Sequence, residues 1–135
     1  DVIEISSKAK TRTINHGYTT RYHDLAHLDL LNQNGKPTIN IFRSTPLPRP
    51  IEIKIMERHP LSSQAFMPLS ERPYLIVVAK EGEFDHNKMV CFLAQSNQGV
   101  NYHAGIWHHF LVIDRDGPEK NCDEITLEGS IYIDY

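Results

Sequence analysis

The chain has 135 residues, 40% hydrophobic and 23% charged, which is enough for one compact core and too little for two ordinary domains, so residues 1–135 read as a single domain. Its longest unbroken apolar run, LIVVA at 75–79, falls far short of a membrane span, and a net charge of −3 with 14 dispersed basic residues excludes the footprint of a nucleic-acid binder. Two cysteines, Cys91 and Cys122, in no C-x-x-C spacing suit free thiols in a reducing compartment, which points to a soluble protein of the cytoplasm.

In chain order, the first polar constellation is INHGYTTRYHDL at 14–25, where Arg21 and His23 share a strand face and Asp24 points the other way. The planar guanidinium of Arg21 suits bidentate capture of a small carboxylate, and an ordinary surface ion pair is the competing reading. After the turn cluster NQNGKP at 32–37, TINIF at 38–42 puts Ile39 and Ile41 on one face. Beyond STPLPRP at 44–50, IEIKIM at 51–56 alternates Ile51, Ile53 and Ile55 with Glu52 and Lys54. Both stretches read as half-buried antiparallel strands. PYLIVVAK at 73–80, MVCFLA at 89–94, FLVIDR at 110–115 and SIYIDY at 130–135 add further strands, with turn clusters at 80–88 and 114–121. Almost nothing reads as helix. Many short strands with polar turns predict an all-β antiparallel sandwich or barrel, and a small barrel fits best because its mouth can hold a polar site.

The 8 histidines carry the functional question. In ERHPLSSQAFMPL at 57–69, Glu57 and His59 are two apart and so share a strand face, and Gln64 follows beyond a turn introduced by Pro60. Any one of these residues alone reads as a surface charge or a turn cap; together they can converge. In VNYHAGIWHH at 100–109, Gly105 permits a tight turn, and the adjacent His108 and His109 must face opposite ways on the strand that leaves it.

E-x-H-x-x-x-x-Q at 57–64 followed by H-x-G-x-x-H at 103–108 resembles the two half-motifs of the cupin barrel, which usually supply metal ligands. Glu57 stands where that family's first His would be, Gln64 where its Glu would be and His103 where its Pro would be. The resemblance implies a cupin-like antiparallel β-barrel of jelly-roll type. It also implies a divalent metal such as nickel on Glu57, His59 and His108, or no cofactor at all, since neutral Gln64 weakens the site relative to a carboxylate. The cupin-like register turns His108 inward and leaves His109 and Trp107 facing away, with His103 returning to the same mouth across the Gly105 turn.

A closer similarity covers nearly the whole chain. INHGYTTRYHDL, ERHPLSSQAFMPL, NQGVNYHAGIWHH and FLVIDRDGPEKNCDE resemble, in order and spacing, the ureidoglycolate lyase family of bacterial allantoin breakdown. The resemblance implies cleavage of ureidoglycolate to glyoxylate and urea by a homodimer. The chemistry needs a base, an acid and a cation for the substrate carboxylate. Glu57, His59, His103 and His108 are the catalytic candidates, and Arg21, His23, Arg58 and Gln64 the substrate-binding ones. A non-catalytic cupin-like module binding a small acid or sugar is the alternative, and a metal-dependent isomerase or dioxygenase ranks below both. Two boundaries are also expected to be incomplete. The chain starts at Asp1 without a Met, and His109 is joined directly to Phe110 with no room for a hairpin connection, so residues are expected before the first and between the second pair.

Overall fold

The computed structural model describes residues 1–45, 47–109 and 122–133, and the backbone alone at 115–116. Its strands are β1 (Val2–Ile3), β2 (Lys10–Ile14), β3 (Thr19–His23), β4 (Lys36–Pro37), β5 (Ile51–Arg58) and β6 (Gln64–Phe66). They continue with β7 (Tyr74–Ala79), β8 (Val90–Ala94), β9 (Gly99–Tyr102), β10 (Trp107–His108), β11 (Arg115–Asp116) and β12 (Asp123–Ile133). Helix among the described residues is confined to three 3-10 turns of three residues each, and none is long and apolar enough to cross a membrane.

All pairings are antiparallel. Strands β12-β5-β10-β7-β8 form one sheet and β1-β9-β6 a second, with β2–β3 and β4–β11 as separate two-stranded ribbons. The all-β, cupin-like class is therefore as expected. Among the described residues the strands form these two sheets and two ribbons, with no pairing that closes them into a ring.

β5 and β7 flank the short central strand β10, and their sequences suit an interior position. In β7, YLIVVA is β-branched on both faces, and Ile76, Val77 and Ala79 are buried. In β5, Ile51 and Ile53 share a face, and Met56 joins them after a change of phase, where the register against β12 shifts between Thr126 and Ile131. Two apolar clusters result. One, on the face away from the second sheet, gathers Ile51, Ile53, Met56, Val77, Ala79 and Trp107. The other joins the two sheets through Phe66, Ile76, Ala94, Val100 and Tyr102.

One strand expected from the sequence is absent. TINIF at 38–42 is extended coil, with Ile39 91% and Ile41 80% exposed. Its period-two pattern marks a face able to be buried, but no strand of the described chain pairs with it, and alternation alone does not supply a partner. The strand expected at 110–115 lies outside the described residues except for its last position, and so does the junction after His109.

Candidate active site

The site forms where the second sheet covers the end of β5 and β10. His108 pairs directly with Glu57, and on its other side with Val78, so these side chains share the face turned toward β6 and β9. From the opposite sheet, Gln64 and Tyr102 are cross-strand partners and face them. His59 follows the end of β5 and is tied to the turn after β9 by the Gly105 N–H, which donates to the His59 carbonyl at 2.9 Å. Gly105 makes that turn at a φ of +82°. Glu57, His59, Gln64 and His108 are all buried, as the pairing of E-x-H-x-x-x-x-Q with H-x-G-x-x-H anticipates.

Both ring nitrogens of His108 have defined partners. Its Nδ1–H donates to the Ile106 carbonyl at 3.0 Å, which assigns Nε2 to the site. Nε2 stands 2.9 Å from Gln64 Oε1 and 3.4 Å from Glu57 Oε1. Both are acceptors, so the arrangement suits an imidazolium that donates to one of them, or a neutral ring with the Gln64 amide turned to present its NH₂. His59 Nε2 lies 3.8 Å from the same Glu57 oxygen. Burial alone would raise the Glu57 pKa, but the contacts to His108 and His59 outweigh it and bring it from 4.5 down to about 2. Glu57 is thus an ionised carboxylate between two imidazoles.

In this cluster one atom of the buried Gln64 amide, Nε2, has no hydrogen-bond partner, and Glu57 Oε1 has only the long approaches of His108 and His59. Such atoms are rare in folded proteins and mark a place where something else binds. One oxygen of Glu57 and one nitrogen each of His59 and His108 lie within 4.8 Å of one another. That set of one carboxylate and two imidazoles suits a divalent transition metal.

Other sequence candidates stand apart. Arg58 is turned away because it alternates with Glu57: it lies 4.6 Å over the Trp107 ring, with Nε on Asp123 at 3.0 Å and Nη1 on the Gly82 carbonyl at 2.9 Å. Trp107 Nε1 donates to the same carbonyl at 3.0 Å, so this pair fastens the β7–β8 loop. His103 does not return to the cluster. It follows β9 with its side chain 53% exposed and Nε2 3.2 Å from Asp1. Alternation places Tyr102 on the inner face instead. Arg21 is exposed on the β2–β3 ribbon opposite Arg12, and His23 pairs with Asp24 at 3.3 Å, which Lys10 also reaches at 3.1 Å. Asp24 does not point away from His23 as its parity suggests, because its φ of +55° takes the chain out of the strand there. His109 faces away from the cluster as expected, with Nδ1 donating to the Ile55 carbonyl at 2.9 Å.

Two residues were not singled out in the sequence. Tyr102 stacks on His108 with centroids 4.4 Å apart and planes at 17°. Cys122 places its Sγ 3.7 Å from Glu57 Oε2. Tyr102 was within reach of a period-two reading of QGVNYH, whereas the approach of Cys122 depends on the register of β12 against β5. Neither of two shallow hollows beside β7 is lined by the cluster: one is charged, with Glu81, Glu83 and Asp85, and the other apolar, with Val90 and Phe92.

The sequence model of the family described as ureidoglycolate lyase matches residues 1–134. The chain is similar to ureidoglycolate lyases of Burkholderia mallei (44% identity, 98% of this chain and 84% of the relative) and Burkholderia cepacia (47%, 95% and 78%). It also resembles that of Brucella melitensis biotype 2, at 46% identity over 98% of this chain and 83% of the relative. A buried carboxylate between two imidazoles, on a chain matched almost end to end, leads to one conclusion: this protein is a member of the ureidoglycolate lyase family.

Proposed function

We propose that the protein cleaves ureidoglycolate to glyoxylate and urea. The observation that carries the reading is the buried Glu57–His59–Gln64–His108 cluster, in which an ionised carboxylate is shared by two imidazoles. Ureidoglycolate is a carbinolamide bearing a carboxylate. Breaking its C–N bond turns the hydroxyl-bearing carbon into a carbonyl, so the hydroxyl proton must leave and the departing urea nitrogen must gain one. With Glu57 ionised between them, His59 and His108 can divide these roles, one as base and the other as acid. Gln64 Nε2, a buried donor without a partner, is placed to hold a substrate oxygen. Arg58 and His103 are given no part in the reaction, and Arg21 is left at the surface.

The same three side chains, Glu57, His59 and His108, also fit a divalent metal such as nickel, which when bound would replace the acid–base pair with a Lewis acid on a substrate oxygen, since an imidazole nitrogen on a metal cannot exchange a proton. A homodimer working in the cytoplasm completes the proposal. It is supported by the outer edge strand β8, where Val90 (48%), Phe92 (54%) and Leu93 (48%) are exposed, and by the absence of a disulfide between Cys91 and Cys122. Membership of a lyase family takes the ground from a non-catalytic module and from an isomerase or dioxygenase.

The test is to incubate purified protein with ureidoglycolate, with and without a chelator, while following glyoxylate and urea separately. Equal amounts of both are expected. Ammonia in place of urea would make the enzyme a hydrolase and overturn the reading. Light scattering should give twice the monomer mass.

A further inference from the structure

The imidazole of His108 is held at its edges by the Ile106 carbonyl, Gln64 and Glu57, but hydrogen bonds at the ring edge leave its plane free to tilt. One face of the ring is covered by Tyr102, at 4.4 Å and 17°, a near-parallel stack. Tyr102 is itself fixed. It is 7% exposed, its ring meets Phe66 edge-on at 5.4 Å and 64°, and it is the cross-strand partner of Gln64.

The close approach that accompanies this register depends on a glycine. At Gly99 an added Cβ would lie 2.6 Å from the Phe66 carbonyl oxygen, a backbone atom that cannot swing aside. Only glycine lets β9 approach β6 this closely, and three residues later the strand presents Tyr102 inward.

We propose that Tyr102 is a positioning residue for His108, its stacked ring fixing the plane in which Nε2 faces Gln64 and Glu57. This rests on the reading of His108 as a residue of the lyase reaction. The ring, not the hydroxyl, does the work, so Tyr102→Phe keeps the function and Tyr102→Leu loses it. A misaligned catalytic group lowers the rate of the chemical step more than the binding of substrate, with losses of roughly ten- to a hundredfold for displacements of an ångström or less.

The experiment compares wild type, Tyr102→Phe and Tyr102→Leu by NMR and by kinetics. The stack should shift the His108 ring protons upfield in wild type and Tyr102→Phe, and the shift should disappear in Tyr102→Leu. Turnover of ureidoglycolate should stay within about twofold in Tyr102→Phe and fall about tenfold or more in Tyr102→Leu, with KM changed far less. Each assay is run below the thermal midpoint of its variant, and a Tyr102→Trp variant serves if the Leu variant does not fold; a Trp ring that stacks should preserve the upfield shift. Absence of the shift in wild type, full turnover in Tyr102→Leu, or equal loss in the Phe and Leu variants would overturn the proposal. If wild type releases no glyoxylate, the lyase reading fails, and the NMR comparison still decides whether Tyr102 orients His108.

Discussion

The two faces of the five-stranded sheet do different work with residues adjacent in sequence. Glu57 and His108 look toward the second sheet and form a buried ionic cluster; Arg58 and Trp107, their immediate neighbours, look the other way and stack on each other. On the inner face, the buried Gln64 Nε2 is left without a partner. On the outer face, Arg58 Nε and Nη1 and Trp107 Nε1 each donate to Asp123 or to the Gly82 carbonyl. An unsatisfied buried group is a cost that folding alone does not explain, so the inner face is the one shaped by a ligand, and the outer face by packing.

Substitutions at these neighbours should separate activity from stability. Glu57→Gln removes the charge that both imidazoles share and should lower turnover by up to roughly 10⁴-fold, measured as glyoxylate release, while the variant stays folded. Trp107→Ala should instead cost about 3–5 kcal/mol in a denaturation experiment, and the folded fraction should turn over at the wild-type rate. Loss of specific activity per folded molecule would erase the distinction between the faces.

Acid should act through the inner face. The folded-state pKa of Glu57 is depressed, so its contribution is present above the unfolded value of 4.5 and disappears as pH falls toward about 2. At 1.36 kcal/mol per pKa unit this amounts to something on the order of 3 kcal/mol. In metal-free protein, chemical denaturation of wild type should weaken across that interval more steeply than that of Glu57→Gln. Parallel curves would mean that the carboxylate is not held ionised by the histidines.

Smaller effects test the residues that the structure moves out of the site. Arg58→Ala should cost about 1–2 kcal/mol of stability through lost contact with Trp107 and Asp123 and leave KM unchanged. A large rise in KM would return Arg58 to substrate binding. His103→Ala, at an exposed position, should change turnover by less than about threefold in the same glyoxylate assay.

These outcomes also mark how far the sequence could be read. The i, i+2 spacing of Glu57 and His59 and the opposed directions of His108 and His109 are local properties of a strand, and both hold in the structure. Arg58 was legible by the same rule, since it cannot share the face of Glu57. His103 was misplaced by counting across the Gly105 turn instead of continuing the alternation of β9, which selects Tyr102. The strand pattern of TINIF was real but had no partner within the described chain, and the contact of Cys122 with Glu57 depends on a register between β12 and β5 that local spacing does not contain.

The most direct test sets His108→Gln beside His109→Ala, with glyoxylate release and thermal midpoint measured on both. Glutamine keeps a polar group in the buried site but cannot exchange a proton near neutral pH, so the first variant should be folded and nearly inactive. His109→Ala removes a side chain that donates to the Ile55 carbonyl outside the cluster, so it should melt earlier and turn over normally. An active His108→Gln enzyme beside a well-folded, inactive His109→Ala enzyme would contradict the assignment of the inner face as the site of chemistry.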